Sequence, residues 1–162
     1  MQLLSFTIGA EDYAIESRRV IEVLPLVAAR RIPHMPGFLR GVFTHRGRLI
    51  PLVDLGRLLI NQPLRETLST RVIVVEFMSV PEDRHIRLGL AAENVVSLCS
   101  SADAETSLPT LVVPDVPSLG RLLRIGGRTV QVLDVEHLVP AAFLASLAAP
   151  TPASTGDQSA SY

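Results

Sequence analysis

The chain has 162 residues, 48% of them apolar, a formal net charge of −1 and one cysteine. That length suits one ordinary domain or two very small ones, and the intermixed charges exclude the basic stripe with which nucleic-acid binders neutralise phosphate. Cys99 alone excludes an internal disulfide, and no apolar run reaches the ~18 residues of a membrane span. Residues 1–6 lack the charged and long apolar regions of a signal peptide, so a cytoplasmic location is expected.

Short apolar runs between turn residues set an all-β pattern. Leu3–Ile8 reads as a strand, Gly9–Asp12 as a turn and Tyr13–Ile15 as the returning strand. Glu16–Arg19 suits one helical turn that places Val20, Val23 and Leu24 in the core. Ile32–Gly37 carries two prolines and reads as an extended connection. Leu39–Thr44 and Arg48–Val53 flank His45-Arg46-Gly47, a hairpin with glycine where φ must be positive. Asp54 stands where an N-cap belongs, ahead of a short helical turn over 55–59.

Arg71–Phe77 is the most β-prone run, followed by a polar turn over 81–84 and a strand over Ile86–Ala91. Ser100–Pro117 holds three prolines and reads as a long loop. Leu119–Ile125 and Arg128–Leu133 flank Gly126-Gly127 as a second hairpin, and Glu136–Leu147 closes as a short helix. Residues 149–162 are small, polar and proline-containing, the composition of a disordered tail.

An internal repeat organises these elements. Gly47–Leu55 matches Gly127–Val135 without a gap, at an offset of 80 positions. Ala14-Ile15 and Val20-Ile21 echo Gly89-Leu90 and Val95-Val96 at an offset of 75. The expected architecture is all-β, two small barrels packed together within a domain over 1–148, with approximate halves 1–67 and 68–140. About 60 residues make a marginal core, so the halves should share an apolar seam and unfold together.

Over roughly residues 3–140 the chain resembles a known family. Phe6–Gly9, Tyr13–Ile15 and Val20–Leu24 are similar to the opening of CheW-like domains. Gly41–Leu55 is similar to their middle segment, in which a Gly-Val pair leads to Arg-Gly, an apolar run with proline, and Asp-Leu. Gly89-Leu90 with Val95, and then Leu123–Leu138, resemble the second half. The resemblance implies two five-stranded SH3-like barrels and a non-enzymatic adaptor, without cofactor or metal. It would join the regulatory domain of a CheA-type histidine kinase to the cytoplasmic tip of a methyl-accepting chemoreceptor. The matching partner-binding positions are Val20, Glu22, Gly41, Arg46 and Gly47. Thr44 and His45 depart from the family's Asn and apolar residue, and Ala91–Asn94 departs from its apolar-apolar-Asp-Gly run, which leaves open a pathway paralogous to the main chemotaxis system.

Other residues invite blander readings. Glu22 and Arg46 form either a partner-binding pair or a solvated one worth ~0–1 kcal/mol. His34 and His45 are metal-ligand or general-base types, but no third ligand lies at usable spacing. Asp54 and Asp134 occupy equivalent places in the repeat, which favours capping over acid–base work. Cys99 lacks a base partner and reads as an apolar filler. Two rival functions remain, a small-barrel enzyme and a small-barrel oligonucleotide-binding protein. The second would need an aromatic face, and five Phe and two Tyr leave little for one.

Overall fold

The computed structural model describes residues 1–79, 83–108 and 120–148. In chain order the strands are Gln2–Ile8 (β1), Glu11–Glu16 (β2), Val20–Pro25 (β3), Leu39–His45 (β4), Arg48–Asp54 (β5), Arg71–Ser79 (β6), Arg84–Ser100 (β7), Ala104–Leu108 (β8), Leu122–Ile125 (β9) and Arg128–Val132 (β10). Single 3₁₀ turns at Ser17–Arg19 and Ser101–Asp103 and two short helices, Leu55–Ile60 (α1) and Ala141–Ala148 (α2), complete the described chain. The fold is all-β. The proposed tail and the tip of the turn over 81–84 lie outside the described residues, as does most of the proline-rich part of the loop over 100–117.

Two groups of strands meet on β7, a strand of 17 residues. In one, β3, β6, β7, β5 and β4 lie side by side; in the other the order is β7, β1, β2, β10, β9 and β8. Residues 84–92 of β7 pair with β6, and residues 93–100 pair with β1. Asn94, at φ 50°, sits where the strand passes from one group to the other. A short polar side chain tolerates that left-handed conformation better than a bulky one. The strand expected at 86–91 therefore continues to Ser100 instead of ending at Ala91-Ala92-Glu93-Asn94.

The grouping cuts across the sequence halves 1–67 and 68–140. Each repeat unit's second hairpin strand finds its parallel partner in the other half: β5 pairs with β7 through Leu52 and Gly89, and β10 pairs with β2 through Val132 and Ala14. The residues that echo each other in sequence, 14–15 and 89–90, thus hold equivalent places, but the hairpins are exchanged. Periodicity marks which residues face inward and says nothing about which strand lies alongside, so the crossing has no signal in a single half.

β6 is central because it is apolar on both faces. Val72, Ile73, Val74 and Val75 are fully buried, the unbroken run expected of a strand covered on both sides. One apolar cluster contains Phe6, Ile8, Tyr13 and Ile15 of the first two strands together with Ile50, Leu52, Ile73, Leu88 and Leu90, and it extends to Leu138 and Phe143 at the C-terminal end. A smaller cluster of Leu3, Ala14, Leu123, Val130 and Val132 fills the second group. At ~1.5–3 kcal/mol for each large side chain removed from water, this common seam dominates the energetics.

Three local expectations change. Val23 is 40% exposed and Val20 and Leu24 are only half-buried, because β3 lies at the end of its sheet and pairs with β6 alone. Ala104–Leu108, read as loop, is strand β8 and pairs with β9. The closing helix starts at Ala141, not Glu136. Asp134 holds residues 135–138 in a turn instead, its carbonyl accepting from the His137 amide and its Oδ1 from the Glu136 amide.

Candidate functional site

The β4–β5 hairpin turns through Arg46 and Gly47, at φ 48° and 78°. Two successive residues at positive φ give the turn whose twist matches that of the strands it joins. Glycine at the second position carries no penalty there, and no atom lies within 4 Å of where a Gly47 side chain would begin. The sequence assigned positive φ to Gly47 alone; Arg46 shares it.

Glu22 lies on β3 opposite Val74, just past a register shift in the β3–β6 ladder. β3 and β4 end the same sheet and share no backbone ladder with each other. Side chains bridge that gap. Arg46 Nη2 donates to Glu22 Oε1 at 3.2 Å, and His45 Nε2 stands 2.8 Å from the same oxygen. The Arg46 side chain is 61% exposed, whereas that of His45 is 5% exposed. The hydrogen bond to His45 is the chief cause that holds the Glu22 carboxyl below its ordinary range; partial burial opposes it and the Arg46 charge reinforces it.

The other two expected positions sit apart from this cluster. Val20, two residues before Glu22, packs half-buried on the main core. Gly41 is buried on β4 at φ 142°, and a β-carbon there would stand 2.2 Å from the Arg30 carbonyl oxygen. The chain after β3 comes back over this point, with Arg30 and Val42 exchanging backbone hydrogen bonds of 2.8 and 3.0 Å. Gly41 therefore admits a close backbone approach.

His45 is the member that sequence reasoning weighed only as a metal ligand or base and as a departure from the family pattern. Gly41, Phe43 and His45 are all buried while Thr44 is exposed, so the period-2 alternation of β4 already places His45 on the inward face. His34, by contrast, is exposed at φ 63°. Among the described residues no three His, Cys, Asp or Glu side chains gather as metal ligands.

Capping accounts for both aspartates. Asp54 is 3% exposed and starts α1, accepting from the Arg57 amide at 3.1 Å and from the Leu64 amide at 3.3 Å, with Arg40 Nη1 also at 3.3 Å. Asp134 takes the amide of Glu136 at 3.2 Å and stands 2.8 Å from His137 Nδ1. Cys99 packs against the smaller cluster, and burial, with Asp103 adding to it, pushes its thiol up, away from nucleophilic character.

A model of the CheW-like domain matches residues 2–143. The chain belongs to the CheW-like domain family. This CheW-like domain is 29% identical over 143 residues to a chemotaxis protein CheW of Klebsiella aerogenes, covering 85% of this chain and 81% of that one. Its 32% identity to a chemotaxis protein CheW of Helicobacter pylori extends over 75 residues, 46% of each chain. The crystal structure of the scaffolding protein TtCheW from Thermoanaerobacter tengcongensis superposes with a TM-score of 0.70 at 20% identity, over 86% of this chain and 88% of that one. That likeness bears on the fold, the pair of SH3-like barrels expected of the family.

Proposed function

We infer that this CheW-like domain is a non-enzymatic signalling adaptor that couples the regulatory domain of a CheA-type histidine kinase to the cytoplasmic tip of a methyl-accepting chemoreceptor. The family match across residues 2–143 carries the reading. The protein works in the cytoplasm, in chemotaxis or a paralogous chemosensory pathway, and no described helix is long and apolar enough to cross a membrane. Its activity is binding, and the partner-facing element is the Glu22–Arg46–Gly47 corner where β3 and the β4–β5 hairpin meet. Val20 supports this corner through the core beneath it, and Gly41 by admitting the Arg30 segment against β4.

The aromatic side chains of the described residues give no support to an oligonucleotide platform. Phe6, Tyr13, Phe43, Phe77 and Phe143 are buried, and half-buried Phe38 packs edge-on against Phe143 with ring centroids 5.4 Å apart. Stacking on bases needs exposed rings.

The test is direct titration of the full chain with a purified kinase regulatory domain and with a receptor-tip fragment, by calorimetry. Saturable binding to both is the expected result. Failure to bind either one removes the coupling function.

A further inference from the structure

We propose that His45 is a positioning residue: it, and not Arg46, holds the Glu22 carboxylate at the hairpin corner, which leaves the Arg46 guanidinium free to meet a carboxylate of the partner. The clause about the partner rests on the adaptor reading above; the clause about Glu22 does not.

Three observations carry the proposal. First, the shorter of the two contacts on Glu22 Oε1 comes from His45, 2.8 Å against 3.2 Å for Arg46. Second, the His45 ring is almost fully enclosed while most of the Arg46 side chain is in solvent. A buried ring at the end of a paired strand has little conformational freedom to lose, whereas an exposed arginine gives up several rotamers to keep one contact. Third, His45 Nδ1 is buried without a hydrogen-bond partner among the described residues.

That third observation selects the tautomer. With the proton on Nε2 the ring donates to Glu22, and Nδ1 is left as an unpaired acceptor. With the proton on Nδ1, a buried donor would go unsatisfied and the Nε2 lone pair would face the carboxylate, which costs more. The Nε2–H of the ring is therefore a fixed donor aimed across the open seam between β3 and β4. Arg46 is a second donor to an oxygen already held, so a partner carboxylate can draw it away without releasing Glu22.

The experiment has two arms, both on the full chain. In the first, the Glu22 side-chain carboxyl is titrated by carbon NMR in the wild type, His45→Phe, His45→Gln and Arg46→Ala, and the ring nitrogens of His45 are read in the wild type. The expected result is an Nε2–H tautomer, a larger upward movement of the Glu22 titration in His45→Phe than in Arg46→Ala, and partial restoration in His45→Gln, which keeps a donor. An Nδ1–H tautomer, or an equal or larger movement in Arg46→Ala, overturns the proposal. If His45→Phe does not fold, the tautomer and the comparison of His45→Gln with Arg46→Ala decide it.

In the second arm, affinity for the kinase regulatory domain and for the receptor tip is measured for the same variants. His45→Phe is expected to weaken binding to at least one partner by roughly fivefold or more, with His45→Gln closer to wild type. Unchanged affinity for both in folded His45→Phe, alongside a loss in Arg46→Ala, overturns the positioning role. If the wild type binds neither partner, the adaptor reading and its clause about Arg46 fall, while the first arm still decides what holds Glu22.

Discussion

Arg46 Nη2 donates to Glu22 Oε1 at 3.2 Å across the gap between β3 and β4, the two ends of a sheet, which share no backbone ladder. The pair joins the sheet's open seam to the tip of its hairpin, yet Arg46 remains mostly in solvent. An exposed pair of this kind contributes little to the fold, so its chemistry is available for a partner.

Arg46→Ala is accordingly expected to cost ~0.5 kcal/mol or less of folding stability. In complex formation it should cost ~1–3 kcal/mol, or roughly five- to 150-fold in affinity. The double variant with Glu22→Ala should lose less than the sum of the two. Chemical denaturation and calorimetric titration with the kinase regulatory domain and the receptor tip check both sides. A large stability loss with unchanged affinity would make Arg46 a structural residue.

Asp54 behaves in the opposite way. Its buried carboxylate caps α1, takes the Leu64 amide and meets Arg40. Asp54→Ala leaves those buried donors unsatisfied and should cost ~2–4 kcal/mol in urea unfolding. Asp54→Asn, which keeps one acceptor oxygen, should recover part of it. Equal losses in the two variants would show that the charge, and not the acceptor, matters.

The two glycines of the hairpin should separate cleanly. A β-carbon on Gly41 meets the Arg30 carbonyl oxygen at 2.2 Å, so Gly41→Ala must push backbone apart and should cost ~2 kcal/mol or more. Gly47 has open space around it, and Gly47→Ala bears only the left-handed penalty of ~1–2 kcal/mol. Melting curves of the pair test the ranking; the reverse order would contradict the close approach of the Arg30 segment.

Acid should act on the corner through Glu22. Its carboxyl is held below the ordinary range in the folded protein, chiefly by the His45 hydrogen bond. Folding therefore favours the ionised form, and the stabilisation is present above the unfolded value of about 4.3 and is lost as pH falls through the lower folded value. Midpoint against pH should drop more steeply on the acid side in the wild type than in Glu22→Gln. Parallel profiles below about pH 4 would show no such linkage.

Cooperativity follows from the crossed pairing. A fragment of residues 1–67 contains β2 without β10 and β5 without β7, so it should remain unfolded, and the whole chain should melt in one transition. A soluble, folded fragment, or two resolved calorimetric peaks, would contradict the shared core.

Much of this molecule is legible in its residues. Both hairpins, the two capping aspartates and the β-rich halves follow from glycine placement, period-2 alternation and the repeat. Pairing is the part that is not, because β10 meets β2 and β5 meets β7 across long stretches of chain, and no local preference encodes that choice. β8 escaped notice because Ala104-Glu105-Thr106-Ser107 is only weakly β-prone, and its strand state comes from β9 alongside. At the site, Glu22 and Arg46 drew attention through a family pattern, whereas His45 looked like a departure from it. Its inward direction was written in the alternation with Gly41 and Phe43; that it reaches Glu22 depends on β3 and β4 meeting at a seam.

β7 also governs how this protein can change in length. Residues 84–92 and 93–100 of the strand are in register with different neighbours, β6 on one side and β1 on the other. Losing or gaining one residue in its second half would shift that half against β1 and invert its faces, turning buried Val95 outward and exposed Leu98 inward. Replacement of a residue in β7 is felt at one position, whereas a single-codon insertion or deletion is felt along a whole ladder. Changes of length are thus expected to be tolerated in connections such as the segment between α1 and β6, where an added residue shifts no ladder.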